Sequence, residues 1–199
     1  MSKKQLIQQY VCKKISTILG QKETGMGKAA LANLRRGVGK KPGELPELWG
    51  MFLKDAPDEL CGSGIGAEEP SREEWAIYIA LTLFAVHQQG SEKSVNCEKV
   101  SLGEAAAALM DDGTDEARER ILRRFAPVVT AESTEELAHY LRSLVQLFKS
   151  KGITLDYPQL AGDLYSFQFE DTKKAVQLKW GRGFYQYNKE EKNNEREGE

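Results

Sequence analysis

The sequence predicts an all-α protein of one or two small domains, with a disordered acidic tail. Apolar residues recur at helical spacing through most of the 199 residues. Capping boxes stand at the head of three such runs, with Ser71, Ser101 and Ser133 each followed three residues later by a glutamate. Only 172–187 also alternates like a strand, and it has no partner strand to pair with.

The first helix is expected over 3–19, where Ile7, Val11, Ile15, Ile18 and Leu19 share a face. A second is expected over 25–36, with Met26, Ala30, Leu31 and Leu34 as its apolar side and Gly37 as a left-handed stop. Pro46 suits the first turn of a short helix through Leu53, because its missing N–H is not needed there. Residues 56–70 read as a loop. Ser71 then caps a helix to about His87 that is apolar nearly all round, the pattern of a central buried helix. Residues 90–99 are polar and are expected to be mobile.

Ser101 opens a short Ala-rich helix to Met110, followed by a turn over 111–114. A helix over 115–125 turns Ala117, Ile121, Leu122 and Phe125 inward and is expected to end at Pro127. The strongest helical pattern follows Ser133: Leu137, Tyr140, Leu141, Leu144, Val145 and Phe148, with Gly152 as the stop. Asp156 caps the next helix, with Pro158 in its first turn and Leu160, Leu164 and Phe167 inward. In 172–187, Val176, Leu178 and Trp180 fit a strand, whereas Val176, Trp180, Phe184 and Tyr187 fit a helix; we take helix. The tail 188–199 has no apolar residue and is expected to be disordered. The domain boundary is set at 1–99 and 100–187.

Composition agrees with a globular chain: 40% hydrophobic, 29% charged and a mean hydropathy of −0.53. No apolar run reaches the roughly 18 residues of a membrane span. The first residues lack a signal-peptide core, so a cytoplasmic location is expected, with no membrane partner. Cys12, Cys61 and Cys97 are too scattered for a disulfide framework or a zinc pair.

Catalytic patterns are missing. His87 ends an apolar helix and His139 sits on the polar side of another, so neither belongs to a triad or metal cluster. Gly62, Gly64 and Gly66 follow no strand and read as loop rather than phosphate cradle. Asp111, Asp112 and Asp115 read as turn and cap residues rather than cation ligands. We therefore expect no catalytic residue, no metal and no cofactor.

The charges say more. The formal net charge of −2 conceals segregation. Residues 1–54 carry 11 basic and 3 acidic side chains, whereas 55–115 carry 3 and 13. Such separation creates local fields that a whole-chain charge hides. On a helical wheel Arg120, Arg123 and Arg124 share an arc beside the apolar face. Lys28, Arg35 and Arg36 form a second stripe, extended by Lys40 and Lys41, and Arg142 and Lys149 form a third. Guanidinium groups held beside a packed face suit phosphate contact. The same stripes also suit solvated faces, with Glu116 and Glu119 pairing some arginines. No helix-turn-helix or other base-reading motif is evident.

Five segments carry a family resemblance: LANLRRGVGKKPGELPELW (31–49), VSLGEAAAAL (100–109), the run 119–165 that begins ERILRRF and contains LDYPQLAGDLY, the Gln168 region, and VQLKWGRGFYQ (176–186). Together they resemble the CasB family, the small subunit of the type I-E CRISPR Cascade complex, over about 30–187. The resemblance implies an all-α, non-enzymatic subunit of two small helical bundle domains. It also implies the partners: other Cascade subunits, a second copy placed head to tail, guide RNA and target DNA. Arg35, Arg36, Arg120, Arg123, Arg124, Arg142 and Arg182 stand at family basic positions. Gln177, where the family often has a base, and Gly183, where it often has an acid, depart from the pattern. A helical scaffold without nucleic-acid contact is the alternative.

Overall fold

The computed structural model describes residues 1–52, 54–61, 69–110 and 114–196, with side chains through Gln186. The glycines at 62, 64 and 66, the acids at 111 and 112, and Leu53 lie outside the described residues. Among those described there is no strand, only an isolated parallel bridge between Asn96 and Leu155.

Helix α1 (Lys3–Gly20) begins at a Ser2–Gln5 capping box and buries Ile7, Tyr10, Val11, Ile15 and Ile18. Helix α2 (Gly25–Arg36) is capped by Thr24 and buries Leu31 and Leu34, but Met26 of its expected apolar side is 69% exposed. A 3₁₀ turn (Pro46–Leu48) leads into the single turn α3 (Trp49–Phe52). Helix α4 (Arg72–Gln88) starts at the Ser71–Glu74 box and is buried nearly all round. It lies at the centre, against α1, α2 and the later helices α7 (Thr134–Lys151) and α8 (Tyr157–Phe167).

Helix α5 (Leu102–Ala107) carries the Ser101–Glu104 box, and α6 (Asp115–Thr130) is capped by Thr114. Helix α7 (Thr134–Lys151) buries Leu137, Leu141, Leu144, Val145 and Phe148 and stops at Gly152, whose φ is +67°. Helix α8 (Tyr157–Phe167), capped by Asp156, packs on α1, α4 and α9 (Glu170–Arg196). One apolar core is continuous from α1 to α9.

Several expectations are corrected. Gly37 is right-handed, with φ −73° and ψ −16°. Its missing side chain serves space instead: an added Cβ would lie 2.8 Å from both Leu48 Cδ1 and Tyr78 Oη. Pro127 does not end its helix; α6 runs through it to Thr130. The lost hydrogen bond and the ring's clash with the preceding turn together cost roughly 3 kcal/mol, and the continued helix buries Val128 completely. Glu136 does not complete the box at Ser133: it accepts from the N–H of Glu132, while Ser133 accepts from that of Glu136.

The segment 90–99 is held at both sides. The Gln88 amide donates to the carbonyls of Ser91 and Lys93 and accepts from the N–H of Val95, and Leu155 donates to the Val95 carbonyl. The ambiguous C-terminal segment is helix: Val176, Trp180 and Phe184 are buried while Leu178 is 53% exposed. The helix backbone continues to Arg196, into the apolar-free tail.

Candidate nucleic-acid interface

The turn between α2 and α3 brings cations to the side of α4. Tyr78, whose hydroxyl burial pushes up to about 12, donates to the Gly37 carbonyl at 2.7 Å. Glu44 accepts from the N–H of Lys41 at 2.9 Å. Gly39 has φ +82°, a region open to glycine. These contacts pin Lys40 and Lys41 beside α7, where an added Cβ on Gly39 would stand 3.7 Å from Arg142 Nη1.

The three cations border a cleft of about 440 Å³ between this turn, α4 and α7. Val38, Trp75, Tyr78, Ile79 and Leu83 line it with apolar surface, and Glu44, Glu135 and His139 share its margin. Spacing along the chain assigns Lys40 and Lys41 to the second stripe and Arg142 to the third. The structure joins them, and it adds Trp75 and Glu135, for which the linear sequence carries no signal. His139, on the polar side of its helix, is on the same margin.

The remaining basic residues divide by partner. Arg36 Nη2 is 3.0 Å from Glu47 Oε1, and Arg123 Nη2 is 2.8 Å from Glu119 Oε1. Lys28 is 3.9 Å from Glu23, with both side chains mostly in water. Lys149 donates to Gln89 and lines a second cleft with His87. Arg120 and Arg124 are exposed on α6, Arg142 on α7 and Arg182 on α9, whereas Arg35 is partly buried on α2; none of the five has an ion-pair partner among the described residues. Arg182 shares the exposed side of α9 with Leu178 and Tyr185, apart from either cleft.

His87 and His139 line different clefts. His87 is buried, with Nδ1 2.9 Å from the Tyr157 hydroxyl, and burial lowers its imidazole to about 4. Among the described residues, no group of three or more His, Cys, Asp or Glu side chains is placed to hold a metal ion. No helix among them is long and apolar enough to cross a membrane.

The family model for the CRISPR-associated protein Cse2 matches residues 30–185, which includes the turn, α4, α6 and α7. The chain belongs to the Cse2 family. Solved structures agree. CasB from Thermobifida fusca is 32% identical, with a TM-score of 0.75 over 90% of this chain and 97% of that one. CasB from M. ruber is 28% identical, with a TM-score of 0.63 over 97% and 98%. A Cse2-family protein from Thermus thermophilus, at 20% identity and a TM-score of 0.63 over 93% and 99%, shares the fold. No match was found among curated protein sequences. Two motif residues of this Cse2-family chain, Asp163 and Trp180, are structural: the Trp180 indole and the ammonium groups of Lys4 and Lys179 all donate to the Asp163 carboxylate.

Proposed function

We propose that this chain is the non-enzymatic small subunit of a cytoplasmic, RNA-guided type I-E CRISPR complex, and that its basic faces hold the phosphate backbone of the guide or of the opened DNA target. Its partners are the other Cascade subunits, a second copy of itself, guide RNA and target DNA. Family membership supports the assembly. The observation that carries the phosphate role is the meeting of Lys40, Lys41 and Arg142 at one cleft, from segments about a hundred residues apart in sequence.

In such a complex the guide reads sequence by pairing. A subunit that only holds the strand needs cations on rigid supports and no base-reading motif. Arg120 and Arg124 serve that purpose from α6, since Ile121 and Phe125 seat the helix in the core while the guanidinium groups stay in water.

The test uses the complex reconstituted with its partner subunits and guide RNA. The double variants R120A/R124A and K40A/R142A are each expected to bind matched targets of any sequence more weakly. Each should also flatten the dependence of log affinity on log salt by up to about two units, because each lost phosphate contact releases fewer counterions. Normal assembly with unchanged affinity and salt dependence in both variants would favour the scaffold without nucleic-acid contact.

A further inference from the structure

The cleft beside Lys40, Lys41 and Arg142 holds more than a phosphate needs. A backbone oxygen requires only the cations, and these sit at the margin. Behind them is about 440 Å³ of space walled by Val38, Trp75, Ile79 and Leu83, within the roughly 300–1,000 Å³ of small-ligand clefts. Trp75 is half-buried, and no hydrogen bond of its indole N–H is found among the described residues. The Tyr78 hydroxyl is committed to Gly37, so its ring is fixed in the wall.

We propose that this cleft receives the base of a single unpaired nucleotide, stacked against Trp75, while Lys40, Lys41 and Arg142 take the flanking phosphates. The inference rests on the phosphate-holding function above and extends it from the backbone to one base. An aromatic surface behind a basic margin is the arrangement by which single strands are held without regard to sequence, because every base presents a π-face and every linkage a charge.

Charge complementarity selects this occupant over an apolar protein side chain. Of the two carboxylates at the margin, Glu44 is engaged by the Lys41 N–H. Glu135 stands in the first turn of α7, where it suits the helix N-terminus and opposes an incoming phosphate. Its removal is therefore expected to strengthen binding, the reverse of what a basic protein partner would produce.

The decisive experiment scans abasic sites through each strand of the target, one position at a time, on the reconstituted complex. With the unaltered subunit, one position for each copy of the subunit is expected to lose roughly tenfold in affinity, as stacking of one base warrants. That loss should vanish with W75A, and with A138L, which fills the cleft from α7 and leaves every charge in place. If W75A does not fold, A138L carries the test alone. E135Q should tighten binding severalfold at low salt.

The inference is overturned if no position is sensitive, or if the sensitivity persists in A138L. It is also overturned if A138L folds but no longer joins the complex, since the cleft then seats a partner protein. K40A/R142A separates the two readings. If it weakens binding while no abasic position couples to the cleft, the phosphate contact stands and the base site falls. If it too is without effect, the base site falls and the phosphate role is left to Arg120 and Arg124 alone.

Discussion

The Trp180 indole N–H donates to Asp163 Oδ2 at 3.1 Å, with both residues shut away from water. This bond ties α9 to α8, and Lys4 and Lys179 complete the carboxylate's partners from α1 and α9. Two segments that carry the family resemblance in the sequence thus meet as a structural joint, and the energetic consequences are specific.

Removing the carboxylate leaves the Trp180 N–H buried without an acceptor, whereas both lysines can turn to water. D163A is expected to lose about 1–3 kcal/mol. K4M should cost well under 1 kcal/mol, because that ammonium is partly exposed. Urea denaturation of the isolated subunit checks both, and equal losses would refute the assignment.

Acid should destabilise the subunit through His87. In the unfolded chain its imidazole titrates near 6.5; in the fold burial lowers it to about 4. As pH falls between these values the unfolded chain gains a proton that the folded one excludes, so stability is lost across that window and levels below it. The loss is at most roughly 3 kcal/mol. H87Q should flatten the pH dependence of the denaturation midpoint from 6.5 to 4.5; parallel curves would count against it.

Gly37 holds its place through space. G37A is expected to destabilise by about 1–3 kcal/mol, since Leu48 and Tyr78 must both give way. It should also weaken target binding by the complex, because the Tyr78–Gly37 bond positions Lys40 and Lys41. G43A, with φ +92° but open space around it, should cost stability while leaving Tyr78 undisturbed. Thermal denaturation and binding of the two variants separate the effects.

Basic residues should rank by their partners. Arg36 and Arg123 are already paired with Glu47 and Glu119, so R36A and R123A should weaken binding less than R124A or R142A. A uniform loss across the four, measured at one salt concentration, would contradict this order.

Core truncation gives the stability scale. L141A or L144A, each removing a fully buried side chain of α7, should cost about 2–5 kcal/mol, read from denaturation midpoints.

The sequence by itself determined most of the helices. Caps and helical periodicity are local, and Ser71, Ser101, Asp156 and Gly152 act within a few residues of themselves. The run Leu137–Phe148 fixed which side of α7 faces the core. Local rules failed where distant segments intervene. The glycines in 176–186 argue against a helix by propensity, yet Gly183 lets α9 approach α5, where an added Cβ would stand 3.0 Å from Ser101 Oγ. Pro127 stays within α6, whose continuation beyond it packs Val128 into the core. The tertiary structure alone decided which cations stand together: a helical wheel aligns residues of one helix, but Lys40 and Arg142 meet because Tyr78 and Gly37 hold a turn against α4, and Arg36 is occupied because Glu47 folds back to it. Those approaches depend on packing between elements, and spacing along the chain does not encode them.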